Sequence, residues 1–238
     1  PIPRGVSYNS YLVLDEKNVL LDTVDKAVGE RFFENLEYGL QGRELDYVVV
    51  NHMEPDHSGS LALIRKYYPG IRLVGNAKTI DMVKGFYHAA CDTDLTVKEG
   101  DTLSLGSHTL QFIAAPMVHW PEVLMSYETS EKVLFSADGF GKFGALEFET
   151  DDWACEARRY FFNICGKYGV QVQNVLKKAA TVSIETICPL HGPVLKGEAL
   201  SNAVKLYDTW SKYEAETDGV LVAYASIHGG TAAAAEKV

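Results

Sequence analysis

The segment His52-Met53-Glu54-Pro55-Asp56-His57 places four metal-competent side chains within six residues. It follows Asp46-Tyr47-Val48-Val49-Val50, an apolar β-branched run that reads as a buried strand. The segment itself cannot serve as core, because four ionisable groups would be buried without partners. Pro55 denies it a helix interior or a central ladder position. The chain therefore leaves a strand and enters a loop dense with ligands. Two imidazoles and two carboxylates favour a borderline-to-hard metal over a thiolate-bound one.

Three further positions share that context. Met117-Val118-His119-Trp120-Pro121 puts a histidine between two strands, Leu134-Phe135-Ser136-Ala137-Asp138-Gly139 an aspartate just past an apolar strand, and Pro189-Leu190-His191-Gly192 a histidine just past another. Strand ends on one edge of a sheet converge, so these loops can meet at a common point. The candidates are His52, Glu54, Asp56, His57, His119, Asp138 and His191. They are too many for one tetrahedral ion and suit two metals bridged by a carboxylate. Asp138 is the bridge candidate, because its loop lies between those carrying terminal ligands. A histidine beside an apolar strand, taken singly, is more often a capped or surface residue, so the metal reading rests on the set. His88 and His108 lack this context and read as surface residues; His228 is not a ligand candidate.

The elements that must position these residues follow from periodicity. Residues 10–14, 19–23, 46–50 and 71–74 read as strands, and residues 26–40, 59–68 and 79–88 as helices. Residues 100–106 read as a turn and a short strand, and 109–114, 123–127, 133–136 and 185–188 as strands. Helices are expected over residues 153–165, 170–180 and 198–214. Strands and helices thus recur in two sets, roughly 1–115 and 116–217. That predicts an α+β protein, a β-sandwich covered by helices in a four-layer αββα order.

After a linker at Thr217-Asp218-Gly219, residues 220–225 carry a buried-strand pattern. Ser226-Ile227-His228-Gly229-Gly230-Thr231 then reads as a turn opening a helix, able to cradle a phosphate on backbone N–H groups. The expected division is a metal domain over 1–217 and, over 218–238, the first strand and loop of a second domain.

Composition bounds the rest. The chain has 238 residues, 47% of them apolar, enough for a substantial core. No apolar run is long enough for a membrane span, and no signal-peptide core is present. A net charge of −10 argues against a nucleic-acid surface. Cys91, Cys155, Cys165 and Cys188 form no C-x-x-C pair, so reduced thiols and a cytoplasmic setting are expected.

Together these motifs resemble the metallo-β-lactamase fold, and within it the flavodiiron proteins (A-type flavoproteins). The common hydrolase motif of that fold, H-x-H-x-D-H, stands here as His52-x-Glu54-x-Asp56-His57, and Glu in the second position marks the flavodiiron branch. Tyr8-Asn9-Ser10-Tyr11-Leu12, Leu21-Asp22-Thr23-Val24, His119-Trp120-Pro121, Ser136-Ala137-Asp138-Gly139-Phe140-Gly141 and Pro189-Leu190-His191-Gly192-Pro193 also match. The resemblance covers about residues 4–215. The tail is similar to the first strand and FMN phosphate loop of a flavodoxin domain. Two departures stand out. The N-terminus is shorter than usual, and Lys142-Phe143 replaces a Gln-His pair, removing a pocket histidine.

The resemblance implies a diiron centre with His52, Glu54 and His119 on one iron, Asp56, His57 and His191 on the other, and Asp138 between them. His57 is the ligand that some members leave off the metal. It implies FMN contacts at Ser226, His228, Gly229, Gly230 and Thr231, and no catalytic residue beyond the metal ligands. The implied reaction is reduction of O₂ to water, of NO to N₂O, or both. Electrons would come through FMN from rubredoxin or a similar carrier, in a head-to-tail homodimer. The competing expectations are a dinuclear zinc hydrolase of the same fold, which would more often carry His at position 54, and a degenerate binding domain, which would have lost ligands.

Overall fold

The computed structural model describes residues 4–148 and 153–238. Alternation along the strands explains its layering. In β2 (Val19–Leu21), Val19 and Leu21 face one way and Leu20 the other; in β3 (Tyr47–Val49), Val49 and Val48 divide likewise. One face of this sheet packs Leu20, Val48 and Leu73 against Phe32, Leu36 and Leu40 of α1 (Gly29–Leu40), Leu61 and Ile64 of α3 (Leu61–Tyr67), and Val83 of α4 (Ala77–Tyr87). The α1 residues recur every fourth position, as a one-faced helix requires. The other face packs Val19, Leu21, Val49 and Val74 against Leu110, Phe112, Phe135 and Cys188 of a second sheet.

The first sheet runs β1 (Tyr11–Val13), β2, β3, β4 (Arg72–Gly75), β5 (Leu95–Thr96), parallel except for the β1–β2 pair. The second runs β11 (Leu195–Lys196), β10 (Thr186–Cys188), β9 (Val133–Phe135), β8 (Leu124–Glu128), β7 (Thr109–Ala114), β6 (Thr102–Ser104). Only β9 and β10 pair in parallel there. Its outer face packs Ile113, Met125, Leu134 and Ile187 against α5 (Trp153–Ile164), α6 (Gly169–Ala179) and α7 (Gly197–Ser211), where Phe161, Val172, Tyr207 and Trp210 are buried. Each such buried aliphatic or aromatic side chain contributes about 1.5–3 kcal/mol relative to exposure. The result is the four-layer αββα order expected from sequence.

Three expectations need correction. The halves divide between β5 and β6, not near residue 115, because β6 and β7 form a hairpin whose partner is β8. The segment read as a loop from His52 to His57 keeps that character only to Glu54: residues Pro55–Ser58 form a helical turn, α2, with Pro55 at its first position, where the missing N–H costs nothing. Residues 220–225 form no strand; Val220 and Leu221 are about nine-tenths exposed, at 89% and 92%. A β-run forms a ladder only against a neighbour, and none lies beside it among the described residues. The following turn does open a helix, α8 (Gly230–Ala235), with Gly229 in the left-handed region at φ +81°. No described helix is long and apolar enough to cross a membrane.

Candidate metal centre

Every candidate ligand sits just past the C-terminal end of a strand or in the loop joining two. β3 ends at Val49 and delivers His52, Glu54 and, through α2, Asp56 and His57. The β7–β8 loop carries His119; β9 leads to Asp138 and β10 to His191. Because β9 and β10 are parallel neighbours, their C-terminal ends open on the same edge.

All seven converge. His52 Nε2 lies 3.3 Å from Glu54 Oε2 and 3.3 Å from His119 Nε2, which is 2.9 Å from Glu54 Oε2. Beside them, His57 Nε2 lies 3.1 Å from His191 Nε2, and both are 3.3 Å from Asp56 Oδ2. Asp138 stands between the groups, Oδ2 at 3.0 Å from His119 Nε2 and Oδ1 at 3.1 Å from His57 Nε2. Each group therefore offers two imidazoles and one carboxylate, with the Asp138 carboxylate turned to both. His57 belongs to this geometry as fully as the other three histidines do.

The donor set fits metal ions. Lone-pair atoms at 3.1–3.3 Å from one another repel unless positive charge lies between them. Asp56 Oδ1 and Asp138 Oδ1 are buried oxygens without a hydrogen bond. Without metal, protons supply the charge. Burial opposes the imidazolium of His52, but Asp138, Glu122 and Glu54 raise it to about 10. His119, likewise opposed by burial, is raised to about 9 by Asp138 and Glu54. Burial disfavours the Glu54 and Asp138 carboxylates, yet the facing histidines hold Glu54 down at about 2 and Asp138 well below the usual range. A cation entering this site displaces protons from imidazoles already aimed at it.

Residues outside the seven candidates hold the ligands in place. Buried Glu122 receives His52 Nδ1 at 2.9 Å and Met53 N at 2.9 Å on the same oxygen. Buried Asp22 accepts from Asn51 N at 2.8 Å, His52 N at 3.1 Å and Asn51 Nδ2 at 2.9 Å, and burial pushes its carboxyl up to about 6 against those donors and the charge of His57. His191 Nδ1 donates to Ser7 O at 2.7 Å, and Thr23 binds His57 O through both its N–H and its hydroxyl. The donor–acceptor roles follow from the inward-facing Nε2 atoms. Tyr160 packs its ring 5.6 Å from His191 and buries a hydroxyl with no hydrogen-bond partner. Asp22 lies in the family-matching segment Leu21-Asp22-Thr23-Val24, whereas Glu122 is marked in the sequence only by the strand run Leu124–Glu128 that follows it.

The residues read as bystanders stay apart: His88 is exposed at the C-terminal cap of α4, and His108 pairs with Asp15 at 2.8 Å. Lys142 is buried with its stem against Gly192, and Phe143, at the position of the absent pocket histidine, packs its ring 5.1 Å from Tyr160. Ser226, His228, Gly229, Gly230 and Thr231 are exposed and make no contact with this site. Among the described residues no cysteine forms a disulfide.

The model of the family described as ODP family beta lactamase matches residues 6–192, which carry all seven convergent side chains. The chain belongs to that ODP family. The anaerobic nitric oxide reductase flavorubredoxin of Vibrio vulnificus is 32% identical to this chain over 244 residues, covering 99% of it and 49% of that protein. The flavodiiron protein from Giardia intestinalis superposes with a TM-score of 0.84 at 33% identity, covering 88% of this chain and 53% of that one. The rubredoxin oxygen:oxidoreductase from Desulfovibrio gigas gives 0.83 at 30%, covering 89% and 55%. The chain spans about half the length of the curated relatives it matches, 59% and 49% of two of them.

Proposed function

We propose that this chain is the diiron part of a flavodiiron reductase that reduces O₂ to water, NO to N₂O, or both. The observation that carries the reading is the pair of matched donor groups with Asp138 turned to each. Glu54 favours iron over zinc, since a hydrolase of this fold more often carries histidine there. His52, Glu54 and His119 would hold one iron, Asp56, His57 and His191 the other, with Asp138 bridging.

Bound there, the irons would supply the electrons that a diatomic ligand accepts. The protein's own part is to fix them. The four imidazoles present Nε2 inward, and the carboxylates balance ferric charge without thiolate. Trp120, 5.3 Å from His52, and Tyr8, 5.7 Å from His191, wall the site with aromatic surface that limits water.

Electrons are drawn, in this reading, from FMN in a flavodoxin-like domain beginning near residue 218, its phosphate held by Ser226, His228, Gly229, Gly230 and Thr231. Rubredoxin or a similar carrier reduces the FMN in a cytoplasmic, head-to-tail homodimer. The names borne by the relatives support the flavin and the carrier, and the glycine turn opening α8 supports the phosphate site.

Metal analysis of anaerobically purified protein tests the reading. Two irons per chain are expected; two zincs with esterase or lactamase activity overturn it.

A further inference from the structure

The two donor groups are alike in the atoms that face inward: two imidazole Nε2 atoms and one carboxylate each, with Asp138 facing a histidine of both. They differ in what stands behind the imidazoles. His52 gives its Nδ1 to the carboxylate of Glu122 at 2.9 Å, and both residues are fully buried. That carboxylate is held in place by Met53 N, and its other oxygen has no partner, so its charge is directed at the His52 ring. In the second group, His191 gives its Nδ1 to a neutral acceptor, Ser7 O, and the buried Nδ1 of His57 makes no hydrogen bond; the buried Asp22 carboxylate that His57 feels is already taken up by the Asn51 and His52 N–H groups.

A full negative charge behind an imidazole makes its far nitrogen a stronger donor than a peptide carbonyl does. A ring whose outer nitrogen makes no hydrogen bond is not latched, and a carboxylate already committed to peptide N–H groups polarises it less. We propose that Glu122 is a positioning residue that makes the two metal positions unequal: the position formed by His52, Glu54 and His119 fills first and holds its ion more tightly than the position formed by Asp56, His57 and His191. The inference rests on the dinuclear reading above.

Glu122→Gln is the direct test, because the amide oxygen can still accept from His52 and Met53 while the charge is lost. Chelator-stripped protein is titrated anaerobically with Co²⁺, followed by its visible absorption. Wild-type protein is expected to bind two ions per chain in two resolved steps. E122Q should weaken the first step about 10–100-fold and leave the second nearly unchanged. The second step is an internal reference, since a misfolded variant loses both. His119→Ala and His191→Ala, with Glu122 intact, give an independent reading: the former should delete the tight step, the latter the weak one. Equal affinities in the wild type, equal weakening of both steps by E122Q, or loss of the tight step in H191A overturns the proposal. Fewer than two ions per wild-type chain overturns the dinuclear reading and this inference with it.

Discussion

At the scale of single residues, Asp138 and Asp22 do opposite kinds of work with the same carboxylate. Asp138 faces histidines of both groups, at 3.0 and 3.1 Å, so its replacement by alanine should reduce bound metal from two ions per chain to one or none. Elemental analysis of purified D138A decides this; full loading would remove Asp138 from the bridge. Asp22 touches no Nε2 atom but takes the N–H groups of Asn51 and His52 on one oxygen and the Asn51 side chain on the other. Asp22→Asn points an amide donor at one of these donors, for about 1–3 kcal/mol of destabilisation. Chemical unfolding of the metal-stripped variant reads it, and an unchanged midpoint would mean the loop needs no such support. The ligands were legible in the sequence because acids and histidines crowd a loop where no core can use them. The supporting roles of Asp22 and Glu122 were not, because their partners lie 30 and 70 positions away, and only the fold supplies those contacts.

At the scale of elements, strand ends do the positioning, and turns fix where strands end. The β8–β9 turn is closed by Glu128, whose carboxylate accepts from Ser130 N at 2.9 Å, Glu131 N at 2.6 Å and Thr109 N at 3.4 Å. Burial works against its charge, but those N–H groups outweigh it and hold its pKa below the ordinary 4.5. A carboxyl with a depressed folded pKa gives its full stabilisation above the unfolded value and loses it as pH falls through the folded one. Glu128→Gln should therefore be less stable than wild type by roughly 1–3 kcal/mol at pH 7. The gap should close as the wild-type group protonates in acid. Urea midpoints of both proteins across that range check it, and a gap independent of pH would assign the loss to shape, not charge. Element boundaries were readable where period and turn chemistry agree, as in β7. The division between the sheets was misplaced because β6 and β7 look like any short strands until their partner β8 is known. Residues 220–225 show the converse, a strand pattern without a ladder.

At the scale of the molecule, the two sheets contribute unequally but jointly to one site. His52, Glu54, Asp56 and His57 arrive from the first sheet; His119, Asp138 and His191 arrive from the second. Between them the sheets are joined by apolar packing and by Asn51, which accepts from Leu124 N at 2.9 Å and from Ser126 Oγ at 2.8 Å. Ions bound at this edge add a brace that spans both sheets and relieves the repulsion of Glu54, Asp56 and Asp138 in a chain already at −10. Metal that binds only the folded chain stabilises it by mass action, about 4 kcal/mol at a thousand times the dissociation constant. For a domain of this size that is a rise of about 10 °C in melting temperature. Calorimetry of loaded and chelator-stripped protein should show this gap, widening with free metal concentration. Coincident melts in protein shown to carry two ions would mean that the sandwich closes on its own packing and the site merely occupies its edge.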